Sequence, residues 1–336
     1  MGNRFMTTQF GRKVSLVIGP DSGDALDLSA LRIVFNVKRG DTQTPNSLRA
    51  RVYNVSDDTA QSAESTEFTR IVLQAGYEGS YGIIFDGSIV QVRRGRENAT
   101  DTYLDITAAD GDMAYNFAVV STTLAAGSTP ADQVKVCTAA MAPLGVTEGY
   151  VPDLGGNPLP RGKVMFGMAR DYLETVARTT QTLWSIQDGK LQMVPETSYA
   201  PGEIPVINAD TGMVGMPEQT ANAIKVRMLL NPSVKIGRLI SLDNSSIQRY
   251  EYGLSSDDAA NNRASSLQNK INGDGFYYVM SADIWGDTRG NEWYTEVICL
   301  AVDATLIPGS GLALATSASG VSGIVPPKLG VIKPYG

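Results

Sequence analysis

Two acidic residues near the end of a strongly β-forming segment are the best candidates for catalysis in this sequence. Asp283 and Asp287 stand on either side of Trp285 in the stretch ADIWGDTRGNEWY. Two carboxyl groups beside an aromatic side chain could hydrolyse a sugar polymer, with one acting as the acid and the other as the nucleophile or base. Such pairs are also common at exposed hairpin tips, and we favour that structural interpretation.

Two other short motifs could bind ions. Asp110 and Asp112 flank Gly111, and their carboxylate oxygens could ligate a hard cation. The complete calcium-loop pattern is missing, so a turn is the favoured interpretation. Gly212 and Gly215 resemble a phosphate-binding loop only in part, because no Gly-Lys-Ser/Thr follows them.

The clearest basic cluster is formed by Arg93, Arg94 and Arg96. Guanidinium groups at this density could bind an acidic partner or a phosphate. The alternative is a solvated basic loop between two strands, which we favour. The three arginines remain candidates for contact with a partner.

The absence of histidine lowers the expectation of an enzyme. The 336 residues contain none, which removes the commonest general base, the usual serine-protease triad and the usual zinc ligand. We therefore expect no cofactor, no metal and no small-molecule substrate. The formal charge of −7 argues against a general binder of duplex DNA, which needs a basic surface. It does not exclude DNA passing through a channel, where repulsive walls would help transit.

Two cysteines and the hydropathy pattern bear on the compartment. Cys137 and Cys299 lie among apolar or small residues, which predicts two buried free thiols in a protein made in a reducing compartment. No run of about 18 apolar residues appears, so no membrane-spanning segment is expected. The first twenty residues lack the apolar core of a signal peptide.

A long β-hairpin is the element that must position the acidic pair. Residues 276–285 and 292–302 are rich in Tyr, Val, Ile, Trp and Thr, and residues 286–291 supply the Gly, Asp and Asn of a turn. The pattern therefore predicts two paired strands.

Both faces of this hairpin carry apolar side chains. Alternation places Phe276, Tyr278 and Met280 on one face, and Val279 and Trp285 on the other. We expect the protein's own core to cover one face and a neighbouring subunit or subdomain to cover the other. Phe276, Tyr278, Trp285 and Trp293 are accordingly candidate partner contacts.

Composition divides the remainder of the chain into four parts. Residues 1–112 are β-rich, residues 113–203 mix helical and strand patterns, and residues 204–307 form a second β block with a helix predicted near 257–271. Residues 308–336 are mostly Gly, Ser, Pro and small apolar residues, which predicts an extended tail.

The tail is another candidate partner contact. Lys328 and Lys333 are its only charged side chains, and Pro326 and Pro327 disfavour a helix. An apolar segment without acidic residues could add a strand to a partner or lie in its groove. A disordered chain end is the alternative.

Several stretches together resemble the baseplate hub protein of contractile-tailed bacteriophages. The resemblance lies in the order of motifs across residues 13–305, since each motif alone is weak. The motifs are Thr211–Thr220, Leu230-Asn231-Pro232 with Ile236-Gly237, and Gly275–Val279 leading to Gly286–Trp293. The stretches at 32–55 and 93–112 are similar to Mu-like members of that group.

The resemblance implies a fold and a role. It implies a β-rich α+β chain with two tube-like antiparallel β-barrel domains, a small α+β domain between them and an extended C-terminal tail. It further implies a homotrimer whose barrels form a pseudo-six-fold ring, which joins the tail tube protein to the central spike protein and leaves a DNA channel. Such a protein would contact other baseplate proteins, lie in the virion tail baseplate, assemble in the host cytoplasm and catalyse nothing.

A second hypothesis stays open. The chain could be a tail protein that binds or degrades envelope glycans by means of Asp283 and Asp287. Its test is the loss of activity on peptidoglycan or polysaccharide after the substitution Asp287→Asn.

Overall fold

The computed structural model describes most of the chain outside its two ends. The described residues are 9–20, 25–64, 69–155, 158–196, 198–219, 223–242 and 275–301. The helix predicted near 257–271 and the tail at 308–336, with Pro326 and Pro327, lie outside them.

In its described residues, the N-terminal block has seven strands and one short helix. Its elements are β1 (Arg12–Gly19), β2 (Leu26–Asp27), β3 (Ile33–Gly40), β4 (Ser47–Tyr53), α1 (Asp57–Glu64), β5 (Arg70–Tyr77), β6 (Ser80–Arg96) and β7 (Thr102–Ala109). Alternation decides which side chains enter the core. In β3, Ile33, Phe35 and Val37 are buried, whereas Asn36 and Lys38 between and beside them face outward.

The insert that follows combines helices with short strands. Its elements are α2 (Asp112–Phe117), β8 (Val119–Leu124), α3 (Pro130–Met141), β9 (Thr147–Glu148), β10 (Lys163–Met168), α4 (Ala169–Thr180), β11 (Thr182–Gln187) and β12 (Lys190–Pro195). Thr129 and Asp132 cap α3 reciprocally, and Pro130 occupies its first turn. Asp188 and Gly189 both have positive φ in the predicted tight turn between β11 and β12.

The second β block contains the predicted hairpin. Its strands are β13 (Val206–Ile207), β14 (Glu218–Gln219), β15 (Ile224–Leu229), β16 (Leu239–Leu242), β17 (Phe276–Asp287) and β18 (Trp293–Ala301). Strands β17 and β18 pair from Tyr277 with Ala301 to Gly286 with Trp293, so the hairpin is confirmed over the described residues.

A single sheet connects the two β blocks. Strand β17 pairs with β18 on one side and with β3 on the other, from Ser281 opposite Gly40 to Asp287 opposite Val34. The main path through the 13-stranded sheet is β14-β15-β18-β17-β3-β4-β7-β6-β5-β1-β2. The β-rich α+β class is confirmed. The hydrogen-bonding order does not separate the described strands into the two barrels that we expected, because β17 bridges them.

Of the four apolar clusters among the described residues, three are the cores of the two β blocks and of the insert. The N-terminal core includes Leu16, Phe35, Ile106 and Trp293, with Phe35 and Trp293 edge to face at 5.4 Å between ring centres. A second core lies under the second block around Val226, Ile240, Val279 and Val297. The third core is that of the insert and contains Cys137, Met141, Met165, Leu173 and Leu191.

The predicted state of the two thiols is confirmed. Cys137 and Cys299 are free and buried, and burial raises the pKa of each thiol, that of Cys137 to about 12. In the described part of the chain, no helix has the length and apolar character needed to cross a membrane.

Candidate assembly surfaces

A β-bulge in β17 changes which of its side chains share a face. The pairing with β18 shifts register between Val279 and Ser281, so Met280 is an extra residue and alternation restarts beyond it. Our prediction that Val279 and Trp285 share a face is therefore wrong. Val279 enters the second core, whereas Trp285 lies on the opposite, outer face of the sheet.

The insert covers the first half of that outer face. Phe276 and Tyr278 pack with Leu239, and with Val194 and Ala200 from the segment that leaves the insert. The second apolar face of the hairpin is thus covered by a subdomain of the same chain. Phe276 and Tyr278 are buried, with exposed fractions of 6 % and 2 %.

Trp293 is also buried. It is 1 % exposed in the N-terminal core, and the guanidinium of Arg12 lies 5.5 Å from its ring centre. Arg12 further donates to the carbonyl oxygens of Gly290 and Asn291 at 2.7 and 3.0 Å, which fixes the hairpin turn against β1. Trp285 and the three arginines are then the exposed or half-buried partner candidates among the described residues.

Beyond the bulge, the outer side of the shared sheet is a continuous polar surface, which we call the polar face. Directly opposed residues share a face, so the strand registers from β15 to β6 define its members. Its basic residues are Lys38, Arg49, Arg51, Arg93, Lys225 and Arg227, and its acidic residues include Asp105, Asp283 and Glu296. Positive charge therefore predominates on these central strands, although the whole chain is acidic.

Part of this charge is held in cross-strand ion pairs. Arg51 donates two hydrogen bonds to the Asp105 carboxylate at 2.7 and 2.9 Å and stacks on Tyr103 at 4.0 Å. Glu296 accepts from Lys225 and Arg227, each at 2.9 Å. Burial opposes ionisation of Glu296, but these two cations outweigh it and lower its pKa.

The remainder of the polar face is open. Trp285 is half-buried, 5.9 Å from the ring centre of Tyr294, and Arg227 lies 5.5 Å from the Trp285 ring. Arg49 and Arg93 line a shallow concavity of about 660 Å³ beside Trp285. Neither arginine forms an ion pair with another described residue, so both guanidinium groups are available for anions.

The arginine cluster is part of a strand and does not form the predicted loop. Strand β6 extends to Arg96, and Arg93 pairs with Asp105 across to β7. Alternation puts Arg93 on the polar face and turns Arg94 to the other side, where it forms an ion pair with Asp57. Sequence reasoning placed the strand end too early, because it took three arginines as the sign of a loop.

The acidic pair does not form a glycosidase-like site. Asp283 and Asp287 are four residues apart on one extended strand, which separates their α-carbons by about 13 Å. Asp287 accepts hydrogen bonds from Arg32 at 2.7 and 3.3 Å and from the Arg289 N–H at 2.8 Å. Arg32 lowers the pKa of Asp287, so this carboxyl is a poor proton donor and acts as a support for the turn.

Asp110 and Asp112 are also separated by the structure. Asp110 is buried and accepts the backbone N–H groups of Asp188 and Gly189 at 2.6 and 2.9 Å. Asp112 is exposed in α2 and accepts from Asn116 at 3.0 Å. Burial raises the pKa of Asp110 to about 6. Among the described residues, no cluster of potential ligands could hold a metal ion.

Asp110 belongs to a buried polar junction between the insert and the shared sheet. Asp188, in the turn of the insert, forms ion pairs with Arg39 of β3 at 3.0 Å and with Lys235 of the second block at 3.1 Å. These two cations outweigh burial and lower the pKa of Asp188. The junction therefore connects the N-terminal block, the insert and the second β block. Arg39, Asp188 and Lys235 line an 880 Å³ cleft, which we regard as structural because these three groups already pair with one another.

Sequence reasoning missed one exposed apolar surface. Strands β8 and β10 form a two-stranded ribbon whose inner face carries Val120 and Met165 into the core of the insert. On its outer face, Val164 and Phe166 are 72 % and 77 % exposed, and Val119 is exposed beside them. The alternation in Lys163–Met168 could have indicated the strand, but we predicted only the helix that follows it.

The fold is similar to those of two solved tail proteins. The 43 kDa tail protein of prophage MuSo2 from Shewanella oneidensis matches with a TM-score of 0.56 and 9 % identity, over 89 % of this chain and all of that one. The tail protein from Neisseria meningitidis MC58 matches with a TM-score of 0.54 and 11 % identity, over 90 % and 99 % of the two chains. No protein-family model and no curated protein matches the sequence. The resemblance to phage tail proteins is thus confirmed at the level of the fold.

Proposed function

We propose that this chain is a structural subunit of a phage tail baseplate, a homotrimeric hub that joins the tail tube to the central spike. The observation that carries the proposal is the single sheet, antiparallel along its main path, that runs through both β blocks. Two apolar cores fill one side of it, and the polar face lies on the other side beyond the bulge in β17. Three such sheets around an axis would form a closed tube wall. The tail-protein fold supports the same role.

The polar face is the side of this wall that we assign to the channel. Its opposite side is filled by the two β-block cores, so it cannot line a solvent channel. A concavity of about 660 Å³ lies in the polar face beside Trp285. DNA would pass along this face without sequence-specific contacts.

We expected an acidic chain to give a channel whose walls repel DNA, but the polar face carries unpaired positive charge. Arg49 and Arg93 add positive charge that the described carboxylates do not pair. Guanidinium groups in such a wall would contact phosphates weakly, and the contacts would weaken further with salt. The proposed channel therefore guides DNA by weak attraction at these positions.

We propose that the role is not catalytic. We also propose that the chain divides into a first β domain, an insert, a second β domain and a tail. The engagement of Asp287 by Arg32 and the separation of Asp287 from Asp283 both favour this role over glycan hydrolysis. The tail, including Pro326 and Pro327, is proposed to dock on the spike or another baseplate protein.

The test is a measurement of mass and shape. Light scattering on the purified protein should give about 108 kDa, three times the 35.9 kDa of one chain, and electron micrographs should contain three-fold rings with a central opening. A strictly monomeric protein at every concentration would refute the trimer. Cleavage of peptidoglycan or polysaccharide that is lost in Asp287→Asn would support the alternative function instead.

A further inference from the structure

The ribbon formed by β8 and β10 has one closed edge and one open edge. On the closed edge, the Phe166 N–H donates to the Tyr172 hydroxyl at 2.9 Å, and this hydroxyl donates to the Phe166 carbonyl oxygen at 3.4 Å. Phe166 lies opposite Ser121, so both residues direct their backbone groups to the outer edges of the ribbon. The same holds for Val119 and Thr123 on β8, and no described residue pairs with that side of the strand, which we call the open edge.

The open edge lacks the features that usually protect an exposed strand. Charged side chains, proline and bulges normally keep such edges from pairing with other segments. Strand β8 has the sequence VVSTTL, which favours β structure, and no charged residue lies between Asp112 and Asp132. Its pairing with β10 is regular over all six residues. An uncharged, regular edge of this kind can accept a further strand.

Apolar side chains on the outer face of the ribbon lie where an added strand would contact them. Val164 lies opposite Thr123, and Phe166 lies opposite Ser121, so all four share the outer face. Ser121 is small, and an apolar side chain on a strand beside β8 could reach over it to the Phe166 ring. Val119 is 54 % exposed on the same face. A strand with apolar residues at alternate positions would therefore cover this surface.

A segment of the same chain has the sequence that this edge requires. Residues 304–327 contain no charged side chain, and residues 309–325 contain no proline. Within them, Leu312 and Leu314 alternate with Ala313 and Ala315, which would give a strand one face with larger apolar side chains. These residues lie outside the described part of the chain.

The described chain ends close to the insert. Leu300 precedes the last described residue of this part, Ala301, and packs in a cluster with Val194 of β12. The stretch from Ala301 to Leu312 can span up to about 36 Å when extended. A domain of about 90 residues, the size of the insert, is roughly 30 Å across. The segment is therefore long enough to reach β8 of its own chain.

We propose that residues 312–316 pair with the open edge of β8 in the same chain and form the third strand of the ribbon. A sheet of three strands that packs on the insert core is more stable than a two-stranded ribbon. The pairing also fixes the point from which the last part of the tail, with Pro326 and Pro327, extends toward the partner proposed above. It does not depend on the number of subunits in the hub.

Antiparallel pairing sets the register of the added strand. With Leu314 opposite Ser121, the leucine side chain lies on the outer face and contacts the Phe166 ring over the small serine. The same register places Ala313 opposite Thr122. This second pair is not hydrogen-bonded, so its two side chains lie close together.

Hydrogen exchange of the β8 amides tests the pairing. In the full chain, the N–H groups of Ser121 and Thr123 should exchange at least about tenfold more slowly than in a chain that ends at Ile307. The N–H groups of Val120 and Thr122 point toward β10, so they are the internal control and should exchange equally in both proteins. Equal exchange of Ser121 and Thr123 in the two proteins would overturn the inference.

Point substitutions test the pairing in the full chain. Leu314→Asp places a charge in the apolar contact and should accelerate exchange at Ser121 and Thr123 as much as the truncation does. Ser322→Asp is the matched control, because it adds the same charge to the same uncharged segment outside the paired residues. Acceleration by both variants would contradict pairing at residues 312–316.

A disulfide identifies the chain that supplies the strand. Under mild oxidation, Thr122→Cys combined with Ala313→Cys should lose both introduced thiols and stay at 35.9 kDa, since the native cysteines are buried. Thr44→Cys combined with Ala313→Cys is the control and should keep its thiols, because exposed Thr44 lies in the turn between β3 and β4. A reducible dimer of about 72 kDa, twice 35.9 kDa, would contradict pairing within one chain.

These readouts separate the inference from the proposed function. Protected Ser121 and Thr123 amides in a protein that is monomeric by mass would support the third strand and refute the trimeric hub. Unprotected amides in a trimer would overturn the third strand and leave the hub intact.

Discussion

Lowering the pH from about 7.5 to about 5 is expected to stabilise the protein through Asp110. Burial at the junction raises the pKa of this carboxyl from 3.8 to about 6. The folded state therefore binds the Asp110 proton more tightly than the unfolded state does. The stabilisation is complete below the unfolded value of 3.8 and disappears as the pH rises through about 6.

The size of the effect follows from the shift in pKa. A difference of about 2 units corresponds to about 3 kcal/mol when both titrations are complete. Between about pH 7.5 and about pH 5, only part of this range is crossed, and the expected gain in the free energy of unfolding from Asp110 is about 1.4 kcal/mol. Asp188 and Asp287 contribute little in this window, because their lowered pKa values keep them ionised in both states.

The assay is urea unfolding of the wild type and of Asp110→Asn at several pH values, followed by the fluorescence of the three tryptophans. The amide cannot ionise, so the variant should lack the Asp110 contribution. It should also lose stability at every pH, because one of the N–H groups of Asp188 and Gly189 loses its acceptor.

Asp41→Asn is the control for this experiment. Burial also raises the pKa of Asp41 to about 6, so the wild type gains stability from both carboxyl groups as the pH falls. The control variant should keep the contribution of Asp110 and lose that of Asp41. Parallel curves of unfolding free energy against pH for the wild type and Asp110→Asn would refute the assignment of Asp110 to a buried junction.

Three further predictions concern burial and backbone geometry. Cys137 and Cys299 should resist a thiol reagent in the native protein and react after denaturation; rapid native labelling would contradict their burial. Gly111→Ala should destabilise the protein by about 1–3 kcal/mol in denaturant titrations, because φ is +69° and an added Cβ would contact a neighbouring side chain at 2.8 Å. Met165→Ala should lower the free energy of unfolding by about 2–5 kcal/mol, whereas Phe166→Ala should change it by no more than about 0.5 kcal/mol. Equal losses would contradict a ribbon with Met165 on its buried face and Phe166 on its exposed face.

Local patterns in the sequence were sufficient for most individual elements. The hairpin of residues 276–301 is visible in its β-branched and aromatic composition, and the Asp188-Gly189 turn in the dipeptide itself. Helix α3 is visible in Pro130 and the alanine-rich segment after it. These features depend on preferences of a few neighbouring residues, so a single sequence is enough to predict them.

Side-chain orientation was harder to predict. A single extra residue at Met280 reverses the alternation of β17, and nothing in its composition marks the bulge. The consequence is large, because it moves Trp285 away from the face of Val279, where we predicted it, and onto the polar face. Arg39 is a similar case: it looks like a strand-end arginine, but it is 6 % exposed and paired with Asp188, which is 149 residues further along the chain.

The sequence by itself determined that this is a β-rich chain with an α+β segment in its middle, two buried thiols and no histidine chemistry. Only the tertiary structure decided that β3 and β17 are neighbours and that the insert covers Phe276 and Tyr278. The physical reason is the distance along the chain over which each effect acts. Strand propensity and turn chemistry act between adjacent residues, whereas strand pairing and the covering of one face by another segment depend on residues that are distant in the chain and meet only in the folded molecule.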